Sequence, residues 1–171
     1  MWSIICVCIA FILYLLYNGI CIHLFGIPES LSETFYLFQA KGNWMKVFFP
    51  LTMMLLAFLL MPAWLEIAIG NGFQFLAFLT SGSIMFTGAA PAFKKSVMEF
   101  KVHSISALIS AFCAVLWIIF GSGTWYFIPI WLSVIILLAI LTKTVKTSKV
   151  YWVETAAFLA TFTSIIAYFF T

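Results

Sequence analysis

The stretch Thr87–Ser104, TGAAPAFKKSVMEFKVHS, is the longest polar interruption in the second half of an otherwise apolar chain. It carries Lys94, Lys95, Lys101, Glu99 and His103, and apolar runs flank it on both sides. A segment of this kind belongs at one face of a membrane, and the face it occupies orients everything else.

The surroundings justify that frame. Of 171 residues, 65% are hydrophobic and only 8% charged, against about 25% charged in a soluble domain. Mean hydropathy is +1.20. The solvent for most of the chain is therefore lipid, where every backbone N–H and C=O must be bonded internally. The apolar runs are continuous and do not alternate with polar residues, which excludes a β-barrel and leaves helices. The expected fold is an all-α integral membrane protein, a compact single-domain bundle of six transmembrane helices over residues 1–171. A short interfacial or re-entrant helix is expected after the first span.

The expected spans are residues 2–24, 46–62, 65–86, 102–120, 125–142 and 150–170. The first has an uncharged start and is too long for a secretory signal, so it reads as a retained helix. After it, Pro28 breaks the chain and Ser30 precedes Glu33 at capping-box spacing, which predicts a helix of about ten residues. That helix is too short to cross. It lies on the lipid surface or dips in to line a cavity. The second and third spans form a hairpin whose reversal falls near Pro62, Trp64 and Glu66, with Trp64 at the interface. Ala77, Ser81 and Gly88 make one small-residue stripe, and Ser106, Ser110 and Ala114 another. Both suit close helix packing, including that of a homo-oligomer.

The lysines test the count. There is no Asp and no Arg, and all eight basic residues are lysine. With six crossings, Lys41, Lys46, Lys94, Lys95, Lys101, Lys143, Lys146 and Lys149 all fall in or beside the connectors after spans one, three and five. Lysines near span ends are retained in the cytoplasm during insertion. Both termini are then outside, in a bacterial-type inner (plasma) membrane. The partner this implies is the lipid bilayer. No basic cluster is dense enough to track nucleic acid.

Polar residues within the bundle are the candidates for function, because ionisable groups there are costly. One group collects at the lysine-bearing ends: His23, Glu33, Glu99, His103 and Glu154. Glu99 and His103 are four residues apart and could share a helix face as a proton-handling pair. His23, His103 and Glu154 have ligand-type side chains, but no HxxxH or HExxH spacing marks a metal site. Ser32 with a histidine could form a nucleophile and base, but Ser30 and Ser32 also read as capping residues and no G-x-S-x-G elbow occurs. A second group, Glu66, Asn71, Gln74, Thr80 and Ser81, traces a polar track along the third span. The four cysteines sit in apolar runs and read as packing residues. No nucleotide, haem or other cofactor motif occurs, so the cofactor is unknown and no metal is assigned. The role expected first is small-molecule or ion transport through the bundle. The alternatives are a non-catalytic membrane partner or assembly factor, and a membrane-embedded lipid-modifying enzyme.

Overall fold

A computed structural model describes residues 2–170, and all the regular structure among them is helical. In chain order the helices are α1 (Trp2–Phe25), α2 (Thr34–Lys41), α3 (Phe48–Ile67), α4 (Gln74–Ala89), α5 (Val97–Leu116), α6 (Phe127–Leu141) and α7 (Lys149–Phe170). A 3₁₀ turn, Met45–Val47, leads into α3, and a π-helical turn, Trp117–Gly121, extends α5.

Four helical stretches are long and apolar enough to cross a membrane: Trp2–Phe25, Met45–Ile67, Val97–Gly121 and Lys149–Phe170. By length and composition these helices suggest a helical membrane protein. The six expected spans are not matched in length. Helix α4 has 16 residues and α6 has 15, which at 1.5 Å per residue is about 22–24 Å against a ~30 Å hydrocarbon core.

Packing follows helical periodicity. On α1 the buried residues Ser3, Val7, Ala10, Tyr14, Tyr17 and Cys21 alternate four and three apart, with Asn18 buried beside Tyr17, so one stripe faces the bundle. Helix α3 packs the same way, with nine buried residues from Phe49 to Ile67 recurring three and four apart along one broad face. It packs on α1 and α4; α5 packs on α4, and α6 on α7. The Ala77, Ser81, Gly88 stripe is used within the chain. Ser81 donates to the carbonyl of Ala57 at 2.9 Å, and Gly88 is so close to α3 that a Cβ there would lie 3.0 Å from Met53 Cβ and 3.2 Å from Pro50 O.

The hairpin between the second and third expected spans needs correction. Pro62 lies inside α3, which continues to Ile67. The reversal comes after Ile67, where Gly70 and Gly72 adopt φ of +87° and +79°. Those left-handed values suit glycine and stop the helix. Proline lacks an N–H, but a helix in lipid tolerates that loss when its neighbours re-satisfy the backbone. Trp64 is 1% exposed and not interfacial; it packs edge-on against Trp117 at 6.3 Å. Helix α5 starts earlier than expected because Ser96 caps it, accepting from the Glu99 N–H at 3.0 Å.

Two sets of connectors define the two ends of the bundle. At one end the α1–α3 connector meets the α4–α5 connector through Lys94 and Glu33 (2.6 Å). It meets the start of α7 where the Tyr151 N–H donates to Glu29 O at 3.0 Å. At the other end Asn71 donates to Gly121 O at 2.8 Å, and Phe73 stacks on Phe120. The lysines lie in the first set of connectors or in the helix turns beside them.

Candidate functional site

The segment 26–41 closes the lysine-bearing end of the bundle. Its short helix is buried through Thr34, Phe35 and Phe38, and Leu31 and Ser32 just ahead of it are buried too. Phe38 sits among Tyr17, Phe25 and Phe48. Tyr17 OH bonds to Thr34 Oγ1, whose own proton goes to Leu31 O. The segment is thus packed into the bundle and not laid across its surface. Ser30 has its expected capping role, accepting from the Glu33 N–H at 3.1 Å.

Above this plug lies a cavity of about 90 Å³. Leu31, Ser32 and Glu154 line the plugged end, and Trp64 and Leu60 lie further along α3. From Phe49 to Trp64, both in its wall, α3 rises about 22 Å, so the cavity runs along much of the bundle. Its walls come from α3, α4, α5 and α7 and are mainly apolar. On the α5 side Ala111 is exposed and Ala107 and Ser110 are half-buried; on the α7 side Ala157 and Phe158 are half-buried. The cavity therefore reaches the bundle surface between α5 and α7. Two polar side chains in its wall, Trp64 and Thr80, are each 1% exposed, and neither Trp64 Nε1 nor Thr80 Oγ1 has a hydrogen-bond partner. A buried polar atom left unpaired costs about 1–3 kcal/mol.

Three side chains fasten the plug. Glu154 Oε2 accepts from the Leu31 N–H at 2.7 Å. Glu33 pairs with Lys94, whose backbone N–H also donates to Tyr36 OH at 2.5 Å. The hydrogen bond to Glu33 pushes the Lys94 ammonium above the ordinary lysine range, and burial pushes the Tyr36 phenol up. The third is His103. Its Nδ1 lies 3.1 Å from Thr87 O and 3.0 Å from Ala90 O, and its Nε2 lies 2.7 Å from Ser32 Oγ. Two carbonyl oxygens facing Nδ1 require a proton there. In the neutral ring Nε2 is then the acceptor, and the Ser32 hydroxyl donates to it. Phe93 stacks on the imidazole at 4.6 Å and fixes its plane.

The expected inner cluster is therefore only partly assembled. His103 and Glu154 hold adjacent residues of the plug, and Glu33 holds its next turn. His23 is exposed on α1. Glu99 does not engage His103, whose ring nitrogens are directed to Ser32 and to α4 carbonyls. No set of three or more His, Cys, Asp or Glu side chains suited to a metal gathers among the described residues. The expected track divides as well. Glu66, Asn71 and Gln74 are exposed near the far end, Ser81 is bonded to Ala57, and Thr80 lines the cavity. Trp64, expected at the interface, instead lines the cavity. No protein-family model, curated protein or solved structure matches the chain.

Proposed function

We propose that this membrane protein binds the hydrocarbon chain of an ester- or amide-bearing amphiphile, which enters from the bilayer between α5 and α7. The observation that carries this reading is the long apolar cavity that reaches the bundle surface there. A narrow slot opening to lipid suits a flexible apolar chain, and the sparse unpaired donors Thr80 and Trp64 suit a ligand with few oxygens. Small-molecule transport is the second reading. It is favoured by closure of the cavity by the plug at one end and the Trp64–Trp117 pair near the other.

The test is thermal unfolding of the purified protein in detergent with and without monopalmitoylglycerol. The ligand should raise Tm in a saturable way, and Ala111→Phe, which blocks the lateral opening, should abolish the rise. A Tm indifferent to the ligand would refute binding. Saturable uptake of the same ester into proteoliposomes would favour transport.

The reading places six crossings in a bacterial-type inner membrane, with the lysine-bearing end in the cytoplasm and both termini outside. Gathering of the lysines at one end supports it. The short α4 and α6 are accommodated by local thinning of the bilayer. In a cysteine-free background, Ser122→Cys should react with an impermeant maleimide on intact cells and Ser96→Cys should not. The reverse pattern would invert the orientation.

A further inference from the structure

We propose that Ser32 is the nucleophile of an acyl-transfer site and His103 its base, acting on the carbonyl of the amphiphile held in the cavity. This rests on the binding reading above and adds a reaction to it.

Several independent features converge on this pair. Ser32 Oγ is 2.7 Å from His103 Nε2, within the reach a general base requires. Ser32 is one of the residues lining the plugged end of the cavity, beside Leu31 and Glu154. The turn does not need Ser32 as a cap, because Ser30 already serves the Glu33 N–H. Nucleophile–base pairs normally have a third group that orients the base. Here Thr87 O and Ala90 O do so by holding Nδ1–H. These carbonyls stand at the C-terminus of α4, where the helix carries partial negative charge. They therefore orient the ring and favour the imidazolium that forms during reaction, which is the work a carboxylate does in a triad. Phe93 and Phe49 flank the imidazole and keep water from it.

The chemistry balances within this chain plus one acceptor. Ser32 Oγ attacks the carbonyl carbon of the ester or amide while its proton passes to His103 Nε2. The tetrahedral adduct collapses, the carbonyl–oxygen or carbonyl–nitrogen bond breaks, and Nε2 protonates the departing alcohol or amine. The acyl group stays on Ser32. Water or an acceptor alcohol then attacks it, loses its proton to Nε2, and leaves Ser32 reprotonated.

The experiment uses a long-chain alkyl fluorophosphonate on the full-length protein in nanodiscs, read by intact mass and peptide mapping. Wild type should gain one adduct, on Ser32. Ser32→Ala should gain none, and Ser30→Ala should label like wild type. His103→Gln should slow labelling by about 100-fold or more. Equal labelling rates in His103→Gln and wild type would overturn the role of His103. Wild type that shows the Tm shift but no adduct at Ser32 would overturn the nucleophile and leave the binding reading intact. Loss of the shift itself would overturn both.

Discussion

Replacing Ala114 by leucine should stabilise the protein and close its site at once. Ala114 is buried on α5 and lines the cavity. Cavities lower stability by about 24 cal/mol per Å³, so roughly 90 Å³ corresponds to about 2 kcal/mol. A leucine adds three carbons but loses ~0.5–1 kcal/mol of rotamer freedom on burial. The net gain should be about 1 kcal/mol, or roughly 2–4 °C in Tm for a chain of this size. The assay is thermal unfolding in detergent, first without added lipid and then with monopalmitoylglycerol. Without the ester the variant should melt higher than wild type, and with it the variant should show no further rise. A variant that melts lower than wild type, or that keeps the full ligand shift, would refute the assignment of Ala114 to the cavity wall.

Other predictions probe the frame around the site. Gly88→Ala should cost about 1–3 kcal/mol by overpacking α4 on α3. Gly82→Ala meets nothing within 4 Å and should gain about 0.5–1 kcal/mol; equal melting temperatures for the two would count against the close approach. Asn71→Ala should lose about 1 kcal/mol and speed hydrogen exchange over residues 68–73, because it severs the bond to Gly121. The Lys94 amine titrates above its ordinary range in the fold, so its contribution is fully present below that range and fades as pH rises through the raised value. Lys94 is half exposed, so screening limits the pair to well under about 1 kcal/mol. Lys94→Met should flatten the alkaline end of the stability curve and change little at neutral pH; an unchanged alkaline loss would mean another group causes it.

The helical membrane class was legible because unbroken apolar runs leave the backbone only one way to satisfy itself. The Ser30–Glu33 turn was legible because its bond spans three residues. The hairpin was misplaced because Pro62 reads as a breaker, whereas the break lies with two left-handed glycines eight and ten residues later. Ser96 and Glu99 repeat the same capping spacing and would have shown where α5 begins. Trp64 looked interfacial because a tryptophan near a turn usually is; its partner Trp117 is remote in sequence. The Ser32–His103 contact has no local signature at all, since its members are 71 residues apart. Only their shared position at the lysine-bearing ends hinted that they could meet.

The plug also imposes a schedule on biogenesis. Residues 29–33 are synthesised early, yet the groups that fasten them emerge much later: Lys94 holds Glu33, His103 holds Ser32, Tyr151 holds Glu29, and Glu154 holds Leu31 from 123 positions away. A nascent chain interrupted before α7 has the Lys94 and His103 contacts within reach but lacks those of Tyr151 and Glu154. The segment ahead of α2 is thus secured in two stages, the second only after the final helix has been threaded.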